Sequence, residues 1–179
     1  GACFHSSRWD HSVELAGKRV GVIGTGSTAI QITAAIADKV ARFDLFQRTA
    51  QWIMPIDDVE YTDEDRAEFR TDRSKLEAVR QQVNDDFEIF SNAVIDSDSQ
   101  EMKDVEDACL ANLEDNVRNP VLREKLRPDY RAGCKRLIFS GDFYDAIQHP
   151  NAQVVTERIQ CVEPEGIRLN NGELSKLDM

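Results

Sequence analysis

The spacing of apolar and polar residues changes rhythm along this chain. Near the start, Arg19-Val20-Gly21-Val22-Ile23 is a short, β-rich apolar run that stops in glycines, the pattern of a buried parallel strand. Apolar positions then recur at helical spacing through Ile30, Ala34, Ile36 and Val40, and Phe43-Asp44-Leu45-Phe46-Gln47 reads as a second strand. From Thr62 to Val117 there is neither proline nor glycine, and Leu76, Val79, Val83, Phe87 and Phe90 follow one another at intervals of three and four. Thr62-Asp63-Glu64-Asp65 predicts a helix start, with Thr62 as N-cap and carboxylates facing the positive end of the helix dipole. Asn119-Pro120 predicts another, running to Leu126, with asparagine as cap and proline at the first helical position. The region 57–127 therefore reads as two or three helices. Further on, Asp142 to Gln148 predicts one or two helical turns and Gln153 to Thr156 a strand. Ile159 to Val162 and Ile167 to Leu169 form strands in hairpin order, bounded by Glu165-Gly166 and Asn171-Gly172 turns.

Composition narrows the picture. The 179 residues are 41% hydrophobic and 31% charged, enough for one domain of ordinary size or one domain with an insertion. A net charge of −11 disfavours nucleic acid or an anionic membrane as partner, since both would repel the chain. Between Asp57 and Asp107 there are eighteen acidic residues and six basic ones, so this stretch carries the whole net charge. A solvated helical face is the expectation there, with an acidic docking surface for a basic partner as the alternative. No apolar run approaches the roughly 18–20 residues of a membrane span, and no basic-then-apolar leader opens the chain. The expected location is the cytoplasm. Cys3, Cys109, Cys134 and Cys161 form no close pair, and His5, His11 and His149 have no ligand-like spacing, so no metal site is expected.

The strongest chemical signal is Gly24-Thr25-Gly26-Ser27-Thr28-Ala29, a GxGxxA run set between the first strand and the first helix. In such a turn Gly24 permits the tight bend, Gly26 lets the backbone approach a pyrophosphate, and Ala29 keeps helix and strand close. The N–H groups opening the helix then meet the diphosphate, helped by the helix dipole. The fold this implies is α/β: a Rossmann-like nucleotide-binding domain over 1–56 and 128–179, with a mainly parallel sheet and a small β-rich C-terminal segment, interrupted by the acidic α-helical insertion 57–127. NAD-binding domains place an acidic residue at the end of the second strand, roughly 20 residues on, to accept from the ribose 2′-OH. Here Arg48 stands there, with Thr49 beside it. A guanidinium offers paired donors to a 2′-phosphate, which a carboxylate would repel, so NADPH is expected over NADH.

The run from Gly1 through His5 to Trp9-Asp10 resembles the fingerprint FxGxxxHxxxW(P/D) of Baeyer–Villiger monooxygenases, without its leading Phe. Next comes Gly17-Lys-Arg-Val-Gly-Val-Ile-Gly-Thr-Gly-Ser-Thr, where that family has its second dinucleotide motif, the one for NADPH. Phe46-Gln47-Arg48-Thr49 resembles the segment after the family's next strand. Gly133-Cys134-Lys135-Arg136-Leu137 resembles the Lys-Arg pair ahead of its Tyr-containing helix, here Asp142-Phe143-Tyr144. The resemblance implies that Gly24, Thr25, Gly26, Ser27 and Thr28 hold the pyrophosphate. It implies that Arg48, Thr49 and Lys135 surround the 2′-phosphate. Arg136 matches the family's catalytic arginine, a permanent cation able to stabilise negative charge that develops near the flavin. His5 matches the fingerprint histidine, a structural or conformational residue, and Trp9 a packing residue.

The same resemblance implies a flavin-dependent, NADPH-using enzyme that inserts oxygen into ketones to give esters or lactones. It places the FAD site and the FAD domain outside this chain, so the chain alone is expected to bind NADPH weakly and not to turn over. A lipophilic ketone is the expected substrate, and a homodimer is one way to cover exposed apolar surface. Two alternatives remain open. One is the nucleotide domain of another NAD(P)H flavoprotein, an N- or S-oxidising monooxygenase or a disulfide reductase. The other is a non-catalytic interaction module built on the acidic helices.

Overall fold

A computed structural model describes residues 1–56 and 60–179. After a single 3-10 turn at Ser6–Arg8, strand β1 (Arg19–Ile23) leads through the glycine turn into helix α1 (Ser27–Ile36), which returns the chain to strand β2 (Arg42–Phe46). The two strands pair in parallel, from Arg19 opposite Arg42 to Ile23 opposite Phe46. Parallel pairing requires such a crossover, and α1 packs beneath the strands through Ala29, Ile30, Thr33 and Ile36. Thr33 is buried without penalty because its hydroxyl donates to the Ala29 carbonyl at 2.8 Å. The helical spacing read as far as Val40 ends earlier, in a 3-10 turn at Ala37–Lys39.

A two-residue strand, β3 (Ile53–Met54), precedes four helices: α2 (Asp63–Thr71), α3 (Arg73–Ile95), α4 (Gln100–Asn116) and α5 (Pro120–Leu126). Thr62 caps α2 as expected, in a reciprocal capping box with Asp65. Asn119 caps α5, accepting from the Val121 and Leu122 amides. The count corrects the two or three helices expected for 57–127. Asp72 ends α2 and caps α3 by accepting from the Ser74 amide, and Ser99 caps α4 by accepting from Met102. Neither break uses proline or glycine. The expected start of this region at residue 57 lies outside the described residues. Apolar spacing located α3, yet Ala93 is its one buried residue, and Phe87 and Leu76 are 65% and 49% exposed.

Strand β4 (Ile138–Phe139) pairs in parallel with β3, helix α6 (Phe143–Ile147) follows, and β5 (Ala152–Val155) joins β2 in parallel. The main sheet therefore runs β1-β2-β5. Strands β6 (Ile159–Glu163), β7 (Gly166–Leu169) and β8 (Leu174–Lys176) form an antiparallel meander, one strand more than the expected hairpin. The chain is thus an α/β fold built on a parallel sheet. Its main core joins Val20, Phe43, Leu45, Ile30 and Ile147 to Leu113 of α4, Val117 at its C-cap and Leu126 of α5. A second cluster gathers Trp52, Ala93, Met102, Cys109 and Leu137. Burial pushes the Cys109 thiol up to about 12, which keeps it protonated and inert. No helix among the described residues is long and apolar enough to cross a membrane.

Phe46, Ile167, Leu169 and Leu177 seat the meander on the sheet, and Asp44 locks it there. Fully buried in the middle of β2, its carboxylate accepts from Arg42 at 2.8 and 2.9 Å, from Gln153 at 3.0 Å and from the Ser175 hydroxyl of β8. Replacing it leaves a buried hydroxyl and an amide unpaired. Asp44→Ala is expected to destabilise the protein by about 3 kcal/mol in urea unfolding, and to raise amide exchange selectively in β7 and β8.

Asp178 clips the other edge of β1. It accepts from the Arg19 amide and guanidinium at 2.7–3.0 Å, and those bonds hold its carboxyl well below the usual range. The folded protein therefore binds fewer protons at this site than the unfolded chain. Its contribution to stability is complete above about pH 4 and falls away as the pH drops further. Asp178→Asn is expected to flatten the acid limb of the stability–pH curve; unchanged curvature below pH 4 would contradict this role.

Candidate functional site

The end of β1 opens into the glycine turn. Gly24 takes φ +107°, which favours glycine, and its amide donates to the Phe46 carbonyl of β2 at 3.0 Å. Gly26 caps α1 with φ −71° and ψ 174°, a conformation open to any residue, and a Cβ built there meets no atom within 4 Å. Nothing inside the chain requires glycine at position 26. What its missing side chain leaves is free space in front of the first turn of a ten-residue helix, where no acidic residue stands and no capping side chain takes the N–H groups. Such a helix end favours an anion. Ser27 and Thr28 flank that space, half-buried and exposed. Thr25 is buried, and its hydroxyl donates to the Thr49 carbonyl at 2.8 Å, which leaves only its backbone facing the turn.

The end of β2 lies one strand over. Gln47 is buried and donates to the Lys125 carbonyl at 2.6 Å, tying β2 to α5. Arg48 is exposed and has no hydrogen bond or ion pair among the described residues, whereas Arg19, Arg131 and Arg168 are each held by a carboxylate that raises the guanidinium pKa. Thr49, through its carbonyl, is fixed to Thr25. Lys135 places its ammonium 4.3 Å from the centre of the Tyr130 ring. The Tyr130 hydroxyl donates to Gln51 Oε1 at 3.1 Å, and Gln51 Nε2 donates to Thr25 Oγ1 at 3.3 Å. One chain of contacts thus joins the glycine turn to Lys135. Sequence reasoning missed Gln51 and Tyr130, which lie 79 positions apart and carry no motif. Arg136 is exposed, without a partner among the described residues, two positions ahead of β4, where Ile138 is registered on Ile53.

The opening segment forms another wall. His5 caps the 3-10 turn, its Nδ1 2.8 Å from the Ser7 hydroxyl and accepting from the Ser7 amide. Half-buried Trp9 packs edge-on against Phe4, ring centres 5.4 Å apart. Asp10 binds the Ser12 hydroxyl and amide, and those bonds lower its carboxyl pKa. A Cβ on Gly1 would overlap the Asp178 carbonyl, so only glycine fits there. Gly1, His5 and Trp9 join Gly24, Gly26, Ser27 and Thr28 around a largely apolar cleft of about 610 Å³, also lined by Val162 and Ile167 of the meander. Asp10, Arg48, Thr49, Lys135 and Arg136 do not line this cleft; Arg48 and Thr49 lie between β2 and β3. Among the described residues no three His, Cys, Asp or Glu side chains group as metal ligands.

No protein-family model matches the chain. Over its full length it is 40% identical to an uncharacterised monooxygenase of Mycobacterium tuberculosis, of which it covers 36%. Over 99% of its length it is 37% identical to a Baeyer–Villiger monooxygenase of Pseudomonas aeruginosa, covering 34% of that protein. The crystal structure of OTEMO in complex with FAD and NADP superposes on 98% of the chain with a TM-score of 0.80 at 26% identity, and the chain covers 40% of it. The chain spans about a third of the length of the relatives it matches. In sequence from end to end, and in fold, it resembles the Baeyer–Villiger monooxygenases.

Proposed function

We propose that this chain is the Rossmann-like NADPH-binding part of a flavin-dependent Baeyer–Villiger-type monooxygenase, which inserts oxygen into a lipophilic ketone to give an ester or lactone. The observation that carries the reading is the open approach at Gly26: a residue whose lack of a side chain serves no purpose within the fold, at the mouth of a helix end that favours anions. The diphosphate would lie against the backbone from Gly24 to Thr28. Arg48, Thr49 and Lys135 would take the 2′-phosphate, and the unpaired state of Arg48 among the described residues supports this, since an arginine kept for a ligand needs no carboxylate of its own. NADPH supplies the reducing equivalents and FAD, held by another part of the protein, the oxygen chemistry. Arg136 contributes a permanent positive charge where negative charge develops. His5 and Trp9 shape the cleft on the far side of the turn.

Two substitutions test this reading. Gly26→Ala adds one methyl into empty space, so the melting temperature should move by no more than about 4 °C, while NADPH affinity falls by about tenfold or more. Retained affinity would leave the turn without its assigned role. Arg48→Ala removes a charge-assisted contact worth about 1.5–3 kcal/mol, so NADPH binding should weaken by about tenfold to a hundredfold with NADH little affected. Equal weakening of both cofactors, measured by titration calorimetry, would remove the 2′-phosphate assignment.

A further inference from the structure

Beside the cations stands a residue that connects one of them to the turn. We propose that Tyr130 is a positioning residue for cofactor choice: its ring holds the Lys135 ammonium where the nucleotide's 2′-phosphate arrives. The proposal rests on the NADPH reading above. Its basis is the fixity of Tyr130 itself. The buried Trp52 indole donates to the Tyr130 carbonyl at 2.8 Å. The next two residues are clamped to α4, with Arg131 Nε on Glu106 at 2.7 Å and the Ala132 amide on the same carboxylate oxygen at 2.9 Å. Arg131 also donates to the Ser97 carbonyl between α3 and α4. The helices thus fix the tyrosine backbone, and the tyrosine ring fixes a lysine that has no carboxylate partner among the described residues. Burial raises the phenol pKa, so the hydroxyl remains a donor to Gln51.

The test compares NADPH and NADH dissociation constants for the wild type, Y130L, Y130F, K135M and the Y130L/K135M double variant. Y130F keeps the ring and is expected to retain the wild-type preference for NADPH. Y130L loses the cation–π contact, and the preference should fall about two- to fivefold, through weaker NADPH binding alone. The double variant should fall no further than K135M, because Tyr130 acts through Lys135. Trp52 bonds to the main chain of residue 130, so that anchor survives both replacements, and melting curves check it. Equal loss of both cofactors in Y130L, an unchanged preference in Y130L, or additive losses in the double variant would each overturn the proposal. A wild type that binds NADPH no better than NADH would instead defeat the underlying reading and this proposal with it.

Discussion

The parallel ladder between β1 and β2 is the constraint on which the rest depends. Two parallel neighbours cannot be joined by a hairpin, so the chain must leave the end of β1, cross the sheet as a helix and come back. The crossover fixes where α1 begins, and the amide of Gly24 on the Phe46 carbonyl sets that beginning beside the end of β2. A helix end and the following strand's first loop residues are thereby placed side by side by topology alone. The remaining sheet, with β5 outside β2, extends this ledge without disturbing it.

What could be read in advance was what is local. The strand, glycine turn and helix were visible because each is encoded in a few consecutive residues, and so were the caps at Thr62 and Asn119. The position of Arg48 just past β2 is legible because one helix and one strand set its distance from Gly26. What escaped was whatever depends on distant chain. The breaks at Asp72 and Ser99 are polar caps within a helical pattern, indistinguishable from a solvated face until the helices are seen to turn. Strands of two or three residues, such as β3, β4 and β8, exist only because a partner lies alongside. The apolar spacing of α3 correctly announced a helix but not its surroundings, since periodicity reports which side is apolar and says nothing of what covers it.

The helical region is bound into the rest of the molecule by both packing and polar ties. Leu113, Val117 and Leu126 complete the core under the sheet, and Asn112 of α4 donates to the Ile53 carbonyl at 3.0 Å. Lys125 of α5 donates to the Val154 carbonyl at 3.0 Å while Gln47 reaches the Lys125 carbonyl, so α5 and the sheet exchange donors. Displacing these helices would therefore be felt at the strand ends.

The two tryptophans occupy contrasting settings. Trp9 sits half-buried beside Phe4 at the rim of the cleft, whereas Trp52 is enclosed, with its indole N–H committed to a carbonyl. Their fluorescence will accordingly report on separate things: the outer indole on events at the mouth of the turn, the inner one on whether the helices keep their grip. The chain carries its own pair of optical probes, separable by replacing one ring at a time.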